Sequence, residues 1–103
     1  MAKVIEQGND LILKLSWLEK LGAFHKDLVV SKEKLIKTTV FQNPWSKEVL
    51  KGVRAPGTGI PYVILLGTMK YRGGKDFTAI YKRWPVTVYE FKDYGFKRWI
   101  VSN

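Results

Sequence analysis

Residues 62–83, YVILLGTMKYRGGKDFTAIYKR, decide the fold of this chain. Two runs rich in aliphatic and aromatic residues, Tyr62–Tyr71 and Asp76–Arg83, flank the sequence Arg72-Gly73-Gly74-Lys75. Adjacent glycines suit a tight hairpin turn, because such turns need residues with positive φ. The stretch therefore predicts two antiparallel strands that pair directly with each other.

Similar short runs, separated by turn residues, continue in both directions along the chain. They predict a mainly β domain of antiparallel strands. Asp93-Tyr94-Gly95 predicts a further tight turn, and the last four strands are expected to form a meander. The other predicted strands lie near Lys3–Glu6, Leu11–Leu15, Asp27–Val30, Leu35–Gln42, Val86–Lys92 and Lys97–Ser102.

The first half also predicts two short helices. Ser16-Trp17-Leu18-Glu19 has the pattern of a capping box, and Gly22 offers a left-handed stop. Residues 43–52 have similar start and stop signals for a helix, with Asn43 as cap, Pro44 at the first helical position and Gly52 as terminator. We expect both helices to close an open end or edge of the β structure, with four side chains turned inward: Trp17, Leu21, Trp45 and Leu50.

Length and composition predict a single domain over residues 1–103. The chain is 46% hydrophobic and 14% aromatic, which suffices for one core. It has no cysteine and one histidine, His25, so disulfide scaffolds, thiolate metal sites and serine–histidine hydrolases are excluded. The candidate acids Glu19, Asp76 and Glu90 form no constellation with His25. We therefore predict no catalytic residue, no metal site and no cofactor, and we expect the protein not to be an enzyme.

The distribution of apolar residues bears on localisation. The N-terminal sequence has no apolar segment of signal-peptide length. The longest uncharged apolar stretch, Ile60–Met69, is much shorter than the roughly 20 residues of a membrane-spanning helix. Together with the absence of cysteine, this predicts a cytoplasmic protein without a transmembrane segment.

Positive charge is concentrated in the second half of the chain. The net charge is +9, and residues 46–103 carry eleven Lys or Arg residues against four acids, a net of +7. Residues 51–83 hold seven of these cations and a single acid, Asp76. This pattern predicts a surface that attracts anions, or a solvated surface that only keeps the protein soluble.

The glycine-rich stretch Lys51–Pro61 is predicted to be a basic loop. Gly52 and Gly57 have the spacing of a nucleotide P-loop, but Thr58 stands where that motif needs lysine. Either the loop amides hold an anion in a backbone nest, or the glycines and prolines only shape a connection. If this loop lies beside the hairpin turn, the predicted ligand-binding residues are Lys51, Arg54, Gly57, Gly59, Arg72 and Lys75.

Three functional interpretations remain. The first is a non-catalytic binding module whose basic end meets anionic lipid head groups or an acidic protein segment. The second is a binder of single-stranded nucleic acid, since aromatic and basic residues mix in Tyr81-Lys82-Arg83-Trp84 and Phe96-Lys97-Arg98-Trp99. Burial also explains such patterns, because Phe77, Ala79 and Tyr81 share one side of a strand. The third is a protein-interaction domain that pairs, as a homodimer for example, through an exposed sheet edge.

Five motifs are distinctive as a set: Asn43-Pro44-Trp45-Ser46, residues 54–61 (RAPGTGIP), Leu66-Gly67-Thr68, Gly74-Lys75-Asp76-Phe77 and Ile100-Val101-Ser102. Together they resemble a family of small uncharacterised bacterial proteins, common in Gram-positive organisms. The resemblance spans about Leu11 to Ser102 and names no site residue. These proteins look similar in strand count and order to bacterial pleckstrin-homology-like domains, which implies a partly open split barrel of two packed antiparallel sheets. No closing helix follows the last predicted strand, where such barrels usually have one.

Overall fold

A computed structural model gives the fold of the chain. It describes residues 1–53 and 57–103 in full, and residues 54–56 only as part of the backbone of one strand. The helix α1 spans Trp17–Ala23, and a single 3-10 turn spans Lys32–Lys34. The strands are β1 (Lys3–Gln7), β2 (Asp10–Lys14), β3 (Leu28–Ser31), β4 (Leu35–Phe41), β5 (Val53–Ile60), β6 (Ile64–Tyr71), β7 (Gly74–Tyr81), β8 (Val86–Phe91) and β9 (Arg98–Ser102).

The strands form two sheets. β1, β2 and β3 make an antiparallel sheet in that order, and the other six strands are ordered β4-β8-β9-β7-β6-β5. In the larger sheet β9 lies between β8 and β7 and runs parallel to β7. The predicted meander, and with it a purely antiparallel second sheet, is therefore wrong. Every residue of β9 is buried, and a strand buried on both faces is most stable in the interior of a sheet.

The eight strands predicted from alternation are confirmed, with bounds that differ by one or two residues. The β6–β7 and β8–β9 hairpins are confirmed as well. β5 was not predicted, because it lies in the glycine- and proline-rich stretch interpreted as a loop. Gly57 of this strand lies opposite Gly67, and a Cβ on Gly57 would stand 2.2 Å from the carbonyl oxygen of Leu66. Glycine here permits a close approach of two strands.

The capping box at the start of α1 is confirmed. The Ser16 hydroxyl oxygen accepts a hydrogen bond from the Glu19 N–H at 3.2 Å, and the Glu19 carboxylate accepts one from the Ser16 N–H at 2.8 Å. The helix continues past Gly22 to Ala23, and its C-cap is Phe24, whose φ of 52° is left-handed. The left-handed end therefore comes two residues later than predicted.

The orientation of α1 differs from the prediction. Trp17 and Leu21 are exposed instead of turned inward. Glu19 and Ala23 occupy the buried side of this short helix. The hydrogen bonds of the Glu19 carboxylate therefore decide which side faces the core, and the apolar side faces solvent.

The second predicted helix, over residues 43–52, does not form, and this segment is a series of turns. The Asn43 side chain accepts a hydrogen bond from the Trp45 N–H at 3.0 Å, and the Leu50 N–H donates to the Ser46 carbonyl. The Trp45 indole N–H also donates to the Lys82 carbonyl at 2.6 Å. The Ser46–Leu50 bond has the spacing of an α-helix but is not continued into one, and the indole bond holds the turns beside the residue that follows β7. Trp45 and Leu50 pack against the core as predicted.

Two clusters of buried residues lie on the two faces of the six-stranded sheet. The cluster between the sheets includes Leu13, Phe77 and Trp99, and the cluster on the other face includes Ile80 and Ile100. The predicted burial of Phe77 is thus confirmed. Both β4 and β5 are edge strands, so the six-stranded sheet does not close into a barrel. Pairing between copies of the chain through such an edge stays a prediction.

A candidate anion-binding cleft

A cleft of about 250 Å³ lies at the end of the six-stranded sheet where the β6–β7 turn meets the end of β8 and the start of β9. It is on the face of the sheet that carries Asp76, opposite the face that carries Phe77. The described residues that line it are Ile36, Lys51, Tyr71, Arg72, Gly73, Glu90, Phe91, Lys97 and Arg98.

Three exposed cations meet at this cleft: Lys51, Arg72 and Lys97. Lys51 precedes Gly52, which has φ +75°, and a Cβ on Gly52 would stand 2.0 Å from a carbonyl oxygen of β6. Glycine is therefore required for the chain to pass so close to the sheet. This passage places the Lys51 ammonium 6.0 Å from the ring centroid of Tyr71.

A buried ion pair forms the floor of the cleft. The Arg98 guanidinium donates through Nε and Nη2 to Asp76 Oδ2, at 3.0 Å and 2.6 Å. Arg98 also donates to the carbonyls of Glu48 at 3.2 Å and Val49 at 2.6 Å. The Tyr71 hydroxyl donates to Asp76 Oδ1 at 2.8 Å. This network tethers residues 48–49 to the sheet and holds the floor rigid.

The electrostatics of the cleft favour anions. Burial, aided by the hydrogen bond and negative charge of Asp76, raises the pKa of Tyr71 to about 12, so this phenol stays a neutral donor at physiological pH. Glu90, the one carboxylate among the described lining residues, lies 3.6 Å from the Lys37 ammonium. Its charge is therefore partly neutralised, and the cations of the cleft dominate.

Of the predicted binding residues, Lys51 and Arg72 lie together at the cleft, whereas Lys75 does not line it. Lys75 projects to the opposite face of β7, with its ammonium 4.7 Å from the ring centroid of Phe96. Sequence reasoning missed Lys97 as a member of the cleft. Lys97 reaches this place because β9 pairs beside β7, which no local pattern in the sequence specifies.

Most of the predicted loop is strand β5, and anion binding by its backbone amides stays a prediction. Gly57 and Gly59 belong to β5 and lie opposite Gly67 and Leu65 of β6. They serve strand pairing along the edge of the sheet and do not line the cleft. The side chain of Arg54 lies outside the described residues, so its role in binding stays a prediction.

A second group of basic and aromatic residues lies at the other end of the sheet. The Arg83 guanidinium carbon is 4.7 Å from the ring centroid of Tyr62, and the Lys82 ammonium is 5.4 Å from that of Trp84. The rings of Tyr62 and Trp45 are 5.5 Å apart. A cavity of about 290 Å³ opens beside Tyr62 and Arg83.

Among residues 1–53 and 57–103, no group of three or more His, Cys, Asp or Glu side chains is placed to hold a metal ion. No helix in this described part of the chain is long and apolar enough to cross a membrane. Comparisons of the chain with family models, curated proteins and solved structures find no match.

Proposed function

We propose that this chain is a non-catalytic binding module of pleckstrin-homology-like type whose basic cleft binds an anionic group. The group is a phosphate or carboxylate carried by a lipid head group or by an acidic protein segment. The observation that carries the proposal is the convergence of Lys51, Arg72 and Lys97 on one cleft. Three exposed cations within one small concavity attract an anion more strongly than the same charges spread over a surface.

The floor of the cleft supports binding without chemistry. Four of the five N–H donors of Arg98 bind Asp76 and two backbone carbonyls, so Arg98 stabilises the cleft while the three exposed cations supply the main ligand contacts. Because the tether through Arg98 and the close passage at Gly52 hold Lys51 near the sheet, little chain ordering is needed on binding. Such preorganisation raises affinity for a small anion.

Calorimetric titration of Lys51→Gln/Arg72→Gln against wild type tests the proposal. The probes are inorganic phosphate, a glutamate-rich peptide, and vesicles of phosphatidylcholine with phosphatidylglycerol. The matched control is Lys3→Gln/Lys47→Gln, which removes the same number of charges at exposed positions outside the cleft. We expect the cleft variant to lose about tenfold in affinity per lost charged hydrogen bond for at least one probe, and the control to bind like wild type.

An equal loss in both variants would show that net charge alone attracts the probes and would refute the cleft. The cleft would also be refuted as an anion-binding site if none of the three probes binds wild type. Preference for the peptide over vesicles assigns the ligand to acidic protein segments, and the reverse preference assigns it to lipid head groups.

The aromatic and basic group at the other end of the sheet favours a second candidate, binding of single-stranded nucleic acid. Tyr62 is exposed and already carries the Arg83 guanidinium on its ring, which is the stacking chemistry that a base would use. Titration of an oligothymidylate should show affinity that falls with salt, and Tyr62→Ala should weaken it by about tenfold or more. If no complex forms at low salt, this candidate is excluded.

A further inference from the structure

Helix α1 presents an apolar surface to solvent. Four large side chains of the helix and its C-cap are more than half exposed: Trp17 (69%), Leu18 (63%), Leu21 (63%) and Phe24 (74%). Trp17 and Leu21 are spaced i and i+4, so they lie along one side of the helix, and Phe24 follows at its C-cap. Contiguous exposed side chains of this size mark an interaction surface more often than scattered ones do.

The helix is locked in this orientation. Its opposite side carries Glu19, whose buried carboxylate accepts hydrogen bonds from the Ala2 N–H at 2.6 Å, the Ser16 N–H at 2.8 Å and the Tyr81 hydroxyl. Rotating α1 to bury its apolar side would break these hydrogen bonds. The ionised Glu19 carboxylate would lose its partners, which costs free energy. The apolar side chains therefore remain available to a partner.

Phe24 adds a separate observation. Its left-handed φ of 52° is a conformation that suits glycine at a helix end and is strained for an aromatic residue. The Phe24 side chain is also the most exposed of the four, so it contributes little to the packing of the core. The Phe24 ring is therefore accessible to a partner.

The charges around α1 indicate what that partner is. Lys20 on the helix and Lys14 just before it both lie near one acid, Asp27, at 3.8 Å and 3.7 Å. Lys26 is exposed two residues after Phe24. Three lysines against Asp27 and the buried Glu19 leave a small positive charge around α1, in keeping with the net charge of +9 for the whole chain.

We propose that the α1 surface inserts into the head-group region of an anionic phospholipid bilayer. Trp, Leu and Phe side chains bordered by lysines are the chemistry of helices that lie in a membrane interface. The apolar side chains supply burial, and Lys14, Lys20 and Lys26 contact anionic head groups. Because Lys20 is three residues from Trp17 on the same helix, the two side chains are neighbours, and one bilayer contacts both at once.

This inference goes beyond the function proposed above. Ala23 of α1 packs with Leu66 and Phe77, on the face of the six-stranded sheet opposite the cleft. The two surfaces share no residue, so insertion of α1 leaves the cleft open to a soluble anion. Failure of one proposal is therefore distinguishable from failure of the other.

Flotation with vesicles tests the inference on the full chain. The vesicles contain phosphatidylcholine alone or a mixture with phosphatidylglycerol. The test variant is Leu21→Gln/Phe24→Gly, which removes apolar surface without changing charge and relieves the strain at Phe24. The control is Val29→Thr/Val40→Thr, which also removes exposed apolar groups without changing charge. A second measurement is fluorescence quenching by brominated lipid in wild type and in Trp17→Phe.

We expect the test variant to bind mixed vesicles on the order of 10- to 100-fold more weakly than wild type, and the control to bind like wild type. Trp17→Phe should still float but lose most of the lipid-dependent quenching. The proposal is overturned if test and control variants bind equally, if vesicles without phosphatidylglycerol bind equally well, or if quenching survives in Trp17→Phe. It is also overturned if wild type does not float and instead dimerises in a way that the test variant abolishes, since the occupant is then a second copy.

Discussion

Arg98 and Asp76 face each other across the parallel pairing of β7 and β9, and their side chains form the ion pair beneath the cleft. Asp76 is completely buried, and Arg98 reaches past it to the carbonyls of Glu48 and Val49. A single arginine thus joins three parts of the chain that are distant in sequence. This relationship makes the stability of the sheet and the shape of the cleft depend on the same residue.

Removing one partner of this pair should be strongly destabilising. Arg98→Gln leaves the Asp76 carboxylate buried without its counter-ion, and we expect a loss of about 3–5 kcal/mol in the free energy of unfolding, measured with urea. The double variant Asp76→Leu/Arg98→Met should lose less, because it leaves no unpaired charge. A single variant that unfolds like wild type would show that the pair contributes nothing.

Gly52→Ala should weaken both the fold and the cleft. The new Cβ would meet the Lys70 carbonyl oxygen at 2.0 Å, at a positive φ that alanine tolerates poorly. We expect a loss of about 1–3 kcal/mol in urea unfolding and weaker anion binding, because Lys51 moves away from the sheet. Gly95→Ala is the control, since a Cβ there meets nothing within 4 Å. Equal stability of the two variants would contradict the close approach seen at Gly52.

Acid should destabilise the protein through Glu19. Burial acts to raise its pKa, but hydrogen bonds from Tyr81, Ser16 and Ala2 outweigh this and lower the pKa below 4.5. A carboxyl with a lowered folded-state pKa stabilises the fold above its unfolded pKa, and this stabilisation is lost as the pH falls through the folded-state pKa. Urea unfolding between neutral and acidic pH should show a steeper loss in wild type than in Glu19→Gln. Parallel curves for the two proteins would refute this role.

High pH should destabilise the protein through ionisation of Tyr71. Its pKa is raised from 10.0 to about 12 by burial and by the hydrogen bond and charge of Asp76. A raised folded-state pKa gives a stabilisation that is complete below the unfolded value and lost as the pH rises towards about 12. The difference in phenolate absorbance between wild type and Tyr71→Phe should therefore titrate near 12. Titration of this difference near 10 would contradict the buried hydrogen bond to Asp76.

Short-range physics explains what the sequence predicted well. Alternation of apolar and polar residues identified eight strands, because a pleated strand with one buried face imposes a period of two. The two glycines after Arg72 predicted the β6–β7 hairpin, and Ser16 with Glu19 predicted the start of α1, since turns and caps are made by residues a few positions apart. Lys51 and Arg72 could be named as binding candidates from charge alone.

What depends on distant contacts was decided only by the tertiary structure. β5 forms because β6 offers it hydrogen bonds that override its glycines, and β9 takes an interior position because both of its faces can be buried there. The placement of β9 brings Lys97 into the cleft, while alternation along β7 sends Lys75 away from it. Trp17 faces solvent because Glu19, on the other side of α1, accepts hydrogen bonds from Ala2 and Tyr81, which are distant from it in sequence. Local sequence patterns do not predict such partners, because the free energy that selects them arises only when the sheets pack together.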